Sequence, residues 1–172
     1  EREMILDLNE EISSVRMMTS YIRVGGVAKD ATRPWLDGIR DFIDYFPAKV
    51  DEYERLLTRN PIWLDRTEGI GVFTREEAID WSLSGPALRA SGVNWDIRKS
   101  HPYSGYDNYK FDVPVFKNGD IYDRYRVRVE EMRQSGIIIK QVMERLPTGD
   151  YKTLDNKVSL PDRDTLHTSM EA

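Results

Sequence analysis

The chain has 172 residues, of which 40% are apolar and 32% charged, and this composition is typical of one globular domain. Its net charge of −5 argues against a main role in coating nucleic acid, because phosphate binding requires a surplus of Lys and Arg. The absence of cysteine excludes disulfides, thiolate catalysis and Cys-ligated zinc or iron–sulfur sites within the chain.

The first residues predict a helix followed by a tight turn. The helix has an apolar stripe at Ile5, Leu8, Ile12 and Val15. A short β-type run at residues 21–24 then precedes Gly25 and Gly26, which permit positive φ angles and a close approach of another backbone. The glycine pair is not a dinucleotide-binding fingerprint, because the G-x-G-x-x-G spacing is missing.

Two long helices are predicted, each with a narrow apolar seam in three-four spacing that suits packing against another helix. The first begins near Pro34 and carries Pro47, which should kink or break it. Its seam comprises Leu36, Ile39, Ile43, Phe46, Val50, Tyr53 and Leu57. The second covers residues 120–146, with a seam at Tyr122, Tyr125, Val129, Met132, Gly136, Ile139, Met143 and Leu146. We expect Gly136 to allow a neighbouring backbone to approach closely.

Shorter elements fill the region between these helices. Asn60 and Pro61 can cap a short helix, and residues 74–77 form a capping box that opens another. One further turn is expected at 87–91, an ordered aromatic loop at 93–109 and an edge strand at 111–116. A polar loop at 150–162 precedes a last helix over 166–172, capped by Asp162 or Asp164.

Together these elements predict a mainly α fold with minor β pieces. The two long helices should form an antiparallel bundle, with the first helix as its third member. We expect residues 1–172 to form a single partial domain of a longer protein, since neither end carries the usual helix cap.

No constellation in the sequence indicates a catalytic or metal-binding residue. Three arginines, Arg23, Arg89 and Arg98, stand in segments whose other residues are not typical of an exposed surface, so we expect them to be covered. Buried guanidinium groups require carboxylate or carbonyl partners. The candidate partners are Asp30, Asp96 and Asp112. The charged residues of 120–133 are interpreted as a solvated helix face, and the tyrosines of 103–109 as a loop held on its own core. His101 is interpreted as a hydrogen-bonded loop residue. Met17 and Met18 are interpreted as packing residues.

Six strings in the sequence resemble one known family. They are Tyr21-Ile-Arg-Val-Gly-Gly-Val, Arg59-Asn-Pro-Ile, Gly85-Pro-Ala-Leu-Arg-Ala-Ser-Gly-Val-Asn-Trp-Asp-Ile-Arg-Lys, Pro102-Tyr-Ser-Gly-Tyr, Phe111-Asp-Val-Pro and Glu131-Met-Arg-Gln-Ser. The chain is similar to the D-type subunit family of NADH-quinone oxidoreductase, which is the family of the 49-kilodalton subunit of respiratory complex I. The H-type subunit of the NAD(P)H-plastoquinone oxidoreductases of chloroplasts and cyanobacteria is a close relative.

The resemblance implies a fold like the large subunit of nickel–iron hydrogenases. It also implies a peripheral place at an energy-transducing membrane, beside the subunit that holds the terminal iron–sulfur cluster. Quinone would bind at the interface of these two subunits, and the chain itself would hold no cofactor. The family's quinone-headgroup histidine and tyrosine belong to a segment that this sequence lacks, so no catalytic residue is carried over. Arg23, Gly25, Gly26, Arg89, Asp96 and Arg98 are expected to be structural or interface residues.

Two other functions remain open at the level of sequence. The chain could belong to the large subunit of a membrane-bound nickel–iron hydrogenase, which carries paired C-x-x-C motifs near its ends. It could also be a redox-inactive helical interaction module. The isolated fragment is expected to show no oxidoreductase activity, because the reactive groups lie elsewhere.

Overall fold

The computed structural model describes residues 1–170 and is predominantly helical, which confirms the mainly α fold class with minor β pieces. Its helices are α1 Arg2–Ser13, α2 Arg33–Leu57, α3 Pro61–Thr67, α4 Arg75–Asp80, α5 Gly85–Ala90, α6 Ile97–Ser100, α7 Ile121–Arg145 and α8 Arg163–Thr168. A two-stranded antiparallel sheet pairs β1 Ile22–Arg23 with β2 Gly26–Val27, and a 3₁₀ turn covers Tyr106–Asn108. No helix among the described residues is both long and apolar enough to cross a bilayer.

The chain divides into two compact units. The first unit contains residues 1–42 and the described residues from 146 onward, and the second unit contains residues 43–145. The expectation of a single partial domain stays a prediction.

In the first unit, α1 packs beside the start of α2. Ile12 is the buried residue of α1, and the indole Nε1 of Trp35 donates a hydrogen bond of 2.9 Å to the carbonyl of Leu8. The predicted stripe is only partly covered, because Ile5 and Val15 remain exposed. The packing role expected of Met17 and Met18 is wrong, since their exposed fractions are 54% and 98%.

The glycine pair of the first unit meets the loop that follows α7. The Val27 amide donates to the Tyr151 carbonyl at 3.0 Å, and the Thr153 amide donates to the Gly25 carbonyl at 2.8 Å. Gly25 and Gly26 have φ angles of 85° and 149°, a region that favours glycine. A Cβ atom at Gly26 would clash with the Tyr151 carbonyl. The close backbone approach predicted at this pair is therefore confirmed.

In the second unit, the C-terminal part of α2 and α7 run antiparallel. The hydroxyl groups of Thr58 and Tyr125 share a hydrogen bond of 3.1 Å, while Arg133, two turns further along α7, reaches back to the carboxylates of Asp51 at 2.6 Å and Glu54 at 2.7 Å. Residues further toward the C-terminus of α7 therefore contact residues nearer the N-terminus of α2. The predicted antiparallel pairing of the two long helices is confirmed.

Helix α2 continues through Pro47, so the predicted break is wrong. Proline removes one amide donor, but packing of a helix against its neighbours supplies most helical stability in proteins. Here Val50, one turn further on, is fully buried. Tertiary packing on this side therefore offsets the lost hydrogen bond.

The most buried side of α7 is not the predicted seam. The buried residues of α7 are Asp123, Val127, Val129, Gln134 and Ile138, and of these only Val129 belongs to the predicted seam. A Cβ atom at Gly136 would have no neighbour within 4 Å among the described residues. Gly136 lines an open apolar groove of about 370 Å³ between α2 and α7. The close backbone approach expected at Gly136 is therefore wrong for the described residues.

The segment before α7 differs from its predicted form in two ways. Helix α6 occurs inside the expected loop, and residues 111–116 form no strand. The amides of Lys110 and Asp112 donate instead to the side-chain carbonyls of Gln141 and Gln134, both at 2.9 Å. Side chains of α7 thus satisfy backbone donors that a neighbouring strand would otherwise have to satisfy.

Candidate functional site: the Arg89 cluster

Four charged residues of the second unit come together and are called here the Arg89 cluster: Arg89, Asp96, Arg98 and Glu131. Arg89 lies near the end of α5, a six-residue helix that begins with Gly85 and Pro86 and packs on α7. Its side chain is only 7% exposed and forms an ion pair with Glu131 of α7. A buried guanidinium group requires such a partner, because it cannot release its charge.

The other nitrogen atoms of the Arg89 side chain do not all have hydrogen-bond acceptors within the described part of the chain. Its Nη1 donates to the carbonyl of Trp95 at 3.2 Å, and its Nε is buried without a hydrogen-bond partner among the described residues. One carboxylate and one carbonyl therefore hold this cation. The arrangement ties α5, the loop after it and α7 to each other.

Asp96 and Arg98 form the second ion pair of the cluster. Asp96 caps α6 by accepting a hydrogen bond of 2.9 Å from the backbone amide of Arg98, and it also accepts from Arg98 Nε at 3.0 Å and Nη2 at 2.7 Å. The side-chain hydrogen bond from Arg98, opposed by burial, holds the pKa of Asp96 below its usual value. The same hydrogen bond raises the pKa of Arg98. Both groups are therefore charged at neutral pH.

Aromatic rings lie beside Arg98 of this ion pair. The guanidinium carbon of Arg98 lies 4.8 Å from the ring centre of Phe111, and the Lys99 amine lies 4.2 Å from the same ring. Tyr106 packs edge-on against Phe111 and Tyr103, with ring centres 6.3 Å and 5.1 Å apart. Tyr106 is thus held against the buried ring of Phe111, but Tyr103 is 50% exposed, so the prediction that the tyrosines are held on their own core is confirmed only in part.

A second polar arrangement lies where α7 begins. Asp120 and Asp123 are each 1% exposed, which contradicts the interpretation of these residues as a solvated helix face. Asp120 accepts from the amides of Gly69 at 2.9 Å and Asp123 at 2.7 Å. Asp123 accepts from the amides of Lys117 and Asn118 at 3.2 Å and 2.9 Å. These carboxylates fix two loops to the start of α7.

Arg124 completes the attachment of these loops. Its guanidinium group donates to the carbonyls of Gly119 and Gly71, both at 2.8 Å. The favourable pairing with Asp120 that their spacing suggests is not formed, because Asp120 is already satisfied by backbone amides.

The remaining predicted site residues lie in the first unit. Gly25 and Gly26 form the turn described above, but Arg23 is exposed, which contradicts the expectation of a covered arginine. Asp30 does not pair with Arg23 and accepts instead from the amide of Ala31 at 2.8 Å. Of the three aspartates considered as arginine partners, Asp96 is confirmed, while the Asp112 side chain makes no ion pair among the described residues.

No group of three or more His, Asp or Glu side chains among the described residues could hold a metal ion. His101 is exposed and shares a hydrogen bond of 3.2 Å with the Ser100 hydroxyl, which agrees with its interpretation as a loop histidine.

Sequence reasoning missed three residues of these networks: Glu131, Asp120 and Asp123. The two aspartates had a readable signal, because Asn118-Gly119-Asp120 is a turn sequence directly before a helix and acidic side chains favour the free amides there. The sequence contains no such signal for Glu131, because a helix with mixed charges does not reveal which of its residues faces a buried arginine.

Comparison with known proteins adds a whole-chain similarity. A family model described as "Respiratory-chain NADH dehydrogenase, 49 Kd subunit" matches residues 1–172. The chain is 50% identical over 175 aligned positions to a D-type subunit of NADH-quinone oxidoreductase from Chloroflexus aurantiacus, and 49% identical over 172 to the D-type subunit from Wolbachia sp. subsp. Brugia malayi. Each alignment covers 100% of this chain, but 43% and 44% of the respective relative. The chain therefore spans less than half the length of these relatives.

Proposed function

Because the chain belongs to the family of the 49 kDa subunit of respiratory-chain NADH dehydrogenase, we propose that it forms part of the quinone-site subunit of that complex. In this role it supports electron transfer from the terminal iron–sulfur cluster to quinone, coupled to ion translocation across the membrane. The observation that carries the proposal is identity of about half the residues along the whole chain to relatives named as D-type subunits of NADH-quinone oxidoreductase.

The arrangement of side chains supports a scaffolding role within that subunit. The family has a hydrogenase-like fold, and the mainly helical structure agrees with it. The Arg89 cluster and the two buried aspartates fix loops to α7. Precise loop placement is what a site shared between subunits requires, since displacing a bound group by 1 Å can cost orders of magnitude in rate.

We assign no cofactor to this chain. It contains no cysteine, so its residues do not fit an iron–sulfur cluster, and in our proposal that cluster belongs to the neighbouring subunit. Quinone binds at the interface with that subunit, and its headgroup contacts come from residues outside this segment. The partners are the other subunits of the complex, at the cytoplasmic, matrix or stromal face of an energy-transducing membrane, and no nucleic acid is involved.

Two alternative functions are less well supported. The match to the 49 kDa subunit favours the NADH dehydrogenase branch over the large subunits of nickel–iron hydrogenases. A helical interaction module without a redox partner would not explain the extent of identity to enzyme subunits.

A complementation experiment tests the proposal. The full-length subunit that carries this segment is expressed in a bacterial strain from which the corresponding 49 kDa-type subunit has been deleted, and NADH-quinone oxidoreductase activity is measured in membranes. We expect activity to return, and the tagged subunit to co-purify with the cluster-bearing subunit. Arg89→Met should lower both, whereas Arg128→Met, at an exposed position of the same unit, should lower neither.

The same proposal predicts that the isolated chain is inactive. The purified 172-residue polypeptide, mixed with a water-soluble quinone and NADH or dithionite, should show no quinone reduction above a protein-free control. Turnover by this chain alone would contradict the proposal, as would normal complex activity in the Arg89→Met strain.

A further inference from the structure

A cleft of the first unit differs in charge from the rest of the chain. It has a volume of about 730 Å³, and its lining includes Arg23, Lys152 and Lys157 but no Asp or Glu. The chain as a whole carries a net charge of −5, so the charge of this cleft is opposite in sign to the net charge of the chain. We call this feature the cationic cleft.

The three cations have no partners within the described residues. None of them takes part in an ion pair, and none of their side chains donates a hydrogen bond there, whereas arginines elsewhere in the chain, such as Arg16 and Arg133, are paired with carboxylates. Unpaired charges remain hydrated and attract groups of opposite charge. The cationic cleft is therefore an electrostatic site without an internal counterion.

The backbone register sets the spacing of two of these cations. Arg23 pairs with Gly26 across the hairpin, and Gly26 pairs on its other side with Lys152. Two steps across a sheet separate the Cα atoms of Arg23 and Lys152 by roughly 9–10 Å. Gly26 has no side chain, so no side chain of the middle strand stands between the two cations.

Apolar side chains border the same cleft. Val24, Val158 and Leu160 line it and are exposed by 75%, 53% and 77%. An occupant must therefore offer both anionic and aliphatic groups. A single phosphate fits poorly, because a tight phosphate site directs several donors to one anion. The cations of this cleft lie instead on separate strands and loops.

We propose that the cationic cleft receives a segment of another subunit in which two or more carboxylates alternate with aliphatic side chains. Alternate side chains of an extended segment lie roughly 7 Å apart on one face, within reach of long Arg and Lys side chains on neighbouring strands. This inference rests on the proposed function, since it requires the chain to sit among other subunits.

Photo-cross-linking in the assembled complex tests the inference. A benzophenone amino acid replaces Val24 in the full-length subunit, the complex is purified from membranes after irradiation, and the cross-linked peptide is sequenced by mass spectrometry. We expect a peptide of another subunit with at least two Asp or Glu near the cross-link. Its yield should fall as salt is raised, because exposed charges are screened.

Charge reversal supplies the second arm. The variant Arg23→Glu/Lys152→Glu/Lys157→Glu should lower the yield of that cross-link about tenfold, since each exposed pair contributes a small factor and three factors multiply. The control variant Arg2→Glu/Arg33→Glu/Arg163→Glu changes the charge of the same unit equally, at exposed positions outside the cleft, and should keep the yield.

Several results would overturn the inference. They are a cross-link to lipid, to a second copy of the chain or to a segment without carboxylates, no cross-link in a complex that has assembled, and equal losses in the two triple variants. Failure of the subunit to co-purify with any other subunit would instead refute the proposed function, and this inference with it.

Discussion

Removal of one partner from the Arg89–Glu131 pair should destabilise the second unit strongly. The two side chains are 7% and 21% exposed, and among the described residues Arg89 has only the Trp95 carbonyl as another acceptor. Glu131→Leu therefore leaves a buried cation whose remaining hydrogen-bond acceptor is a neutral carbonyl. Breaking a buried pair in this way costs about 3–5 kcal/mol, and we expect about 3 kcal/mol because Glu131 retains some contact with water.

The double variant Arg89→Met/Glu131→Leu separates loss of the pair from loss of packing. Replacing both charges by apolar groups removes the unpaired cation, and such replacements are often neutral. The double variant should therefore be more stable than Glu131→Leu alone, with a coupling energy of about 2 kcal/mol. Glu144→Leu, at an exposed position of the same helix, should change stability by no more than about 0.5 kcal/mol.

Urea unfolding followed by tryptophan fluorescence measures these differences. In a Trp35→Phe background the three remaining tryptophans all lie in the second unit, so the signal reports on that unit. With an m-value of about 2 kcal/mol/M, a loss of about 3 kcal/mol lowers the midpoint by about 1.5 M. If Glu131→Leu unfolds at the parent midpoint, or if the double variant is no more stable than the single one, the pair is not structural.

Three other predictions concern single positions. Gly26→Ala should destabilise the first unit by about 1–3 kcal/mol, since its φ angle of 149° and the nearby Tyr151 carbonyl exclude a Cβ atom; an unchanged melting temperature would contradict this. Gly136→Ala should stabilise the second unit by about 0.5–1 kcal/mol, because the added methyl group enters open space on α7, and a lower urea midpoint would refute it. The pKa of Asp96 is lowered in the folded state, so its contribution is complete above the unfolded pKa of about 3.9 and is lost as pH falls through the folded pKa. Asp96→Asn should therefore flatten the fall in urea midpoint below about pH 4, while Asp112→Asn, at an exposed position, should keep it; equal slopes in the two variants would refute the assignment.

Local signals predicted most of the helices. The capping box of Thr74 and Glu77 forms as its spacing requires, with both reciprocal hydrogen bonds present, and Asn60 caps α3 through its side chain at 3.0 Å. These features depend on residues two or three positions apart. Their energetics are therefore nearly complete within the segment itself.

Features that depend on distant residues were predicted poorly. The segment 111–116 has alternating apolar residues, but the Asp112 amide donates to the Gln134 side chain, 22 residues further along the chain, and the Phe116 amide donates to the Arg89 carbonyl. Asp120 and Asp123 carry charges and were assigned to solvent, yet backbone amides from separate loops cover them. Periodicity reports hydrophobicity along one element, and it contains no information about polar partners supplied by another.

The buried ion pairs of the second unit and the cationic cleft of the first unit use charge in different ways, and this difference supports the proposed role. In the second unit the buried charges have local partners: Arg89 pairs with Glu131, Arg98 with Asp96, and Asp123 with Arg126 and with backbone amides. Such groups fix the local geometry. In the first unit the cations of the cationic cleft remain unpaired among the described residues and next to exposed aliphatic side chains. Within a larger assembly, unpaired cations of this kind give a subunit orientation and partner choice, because complementary charge steers association.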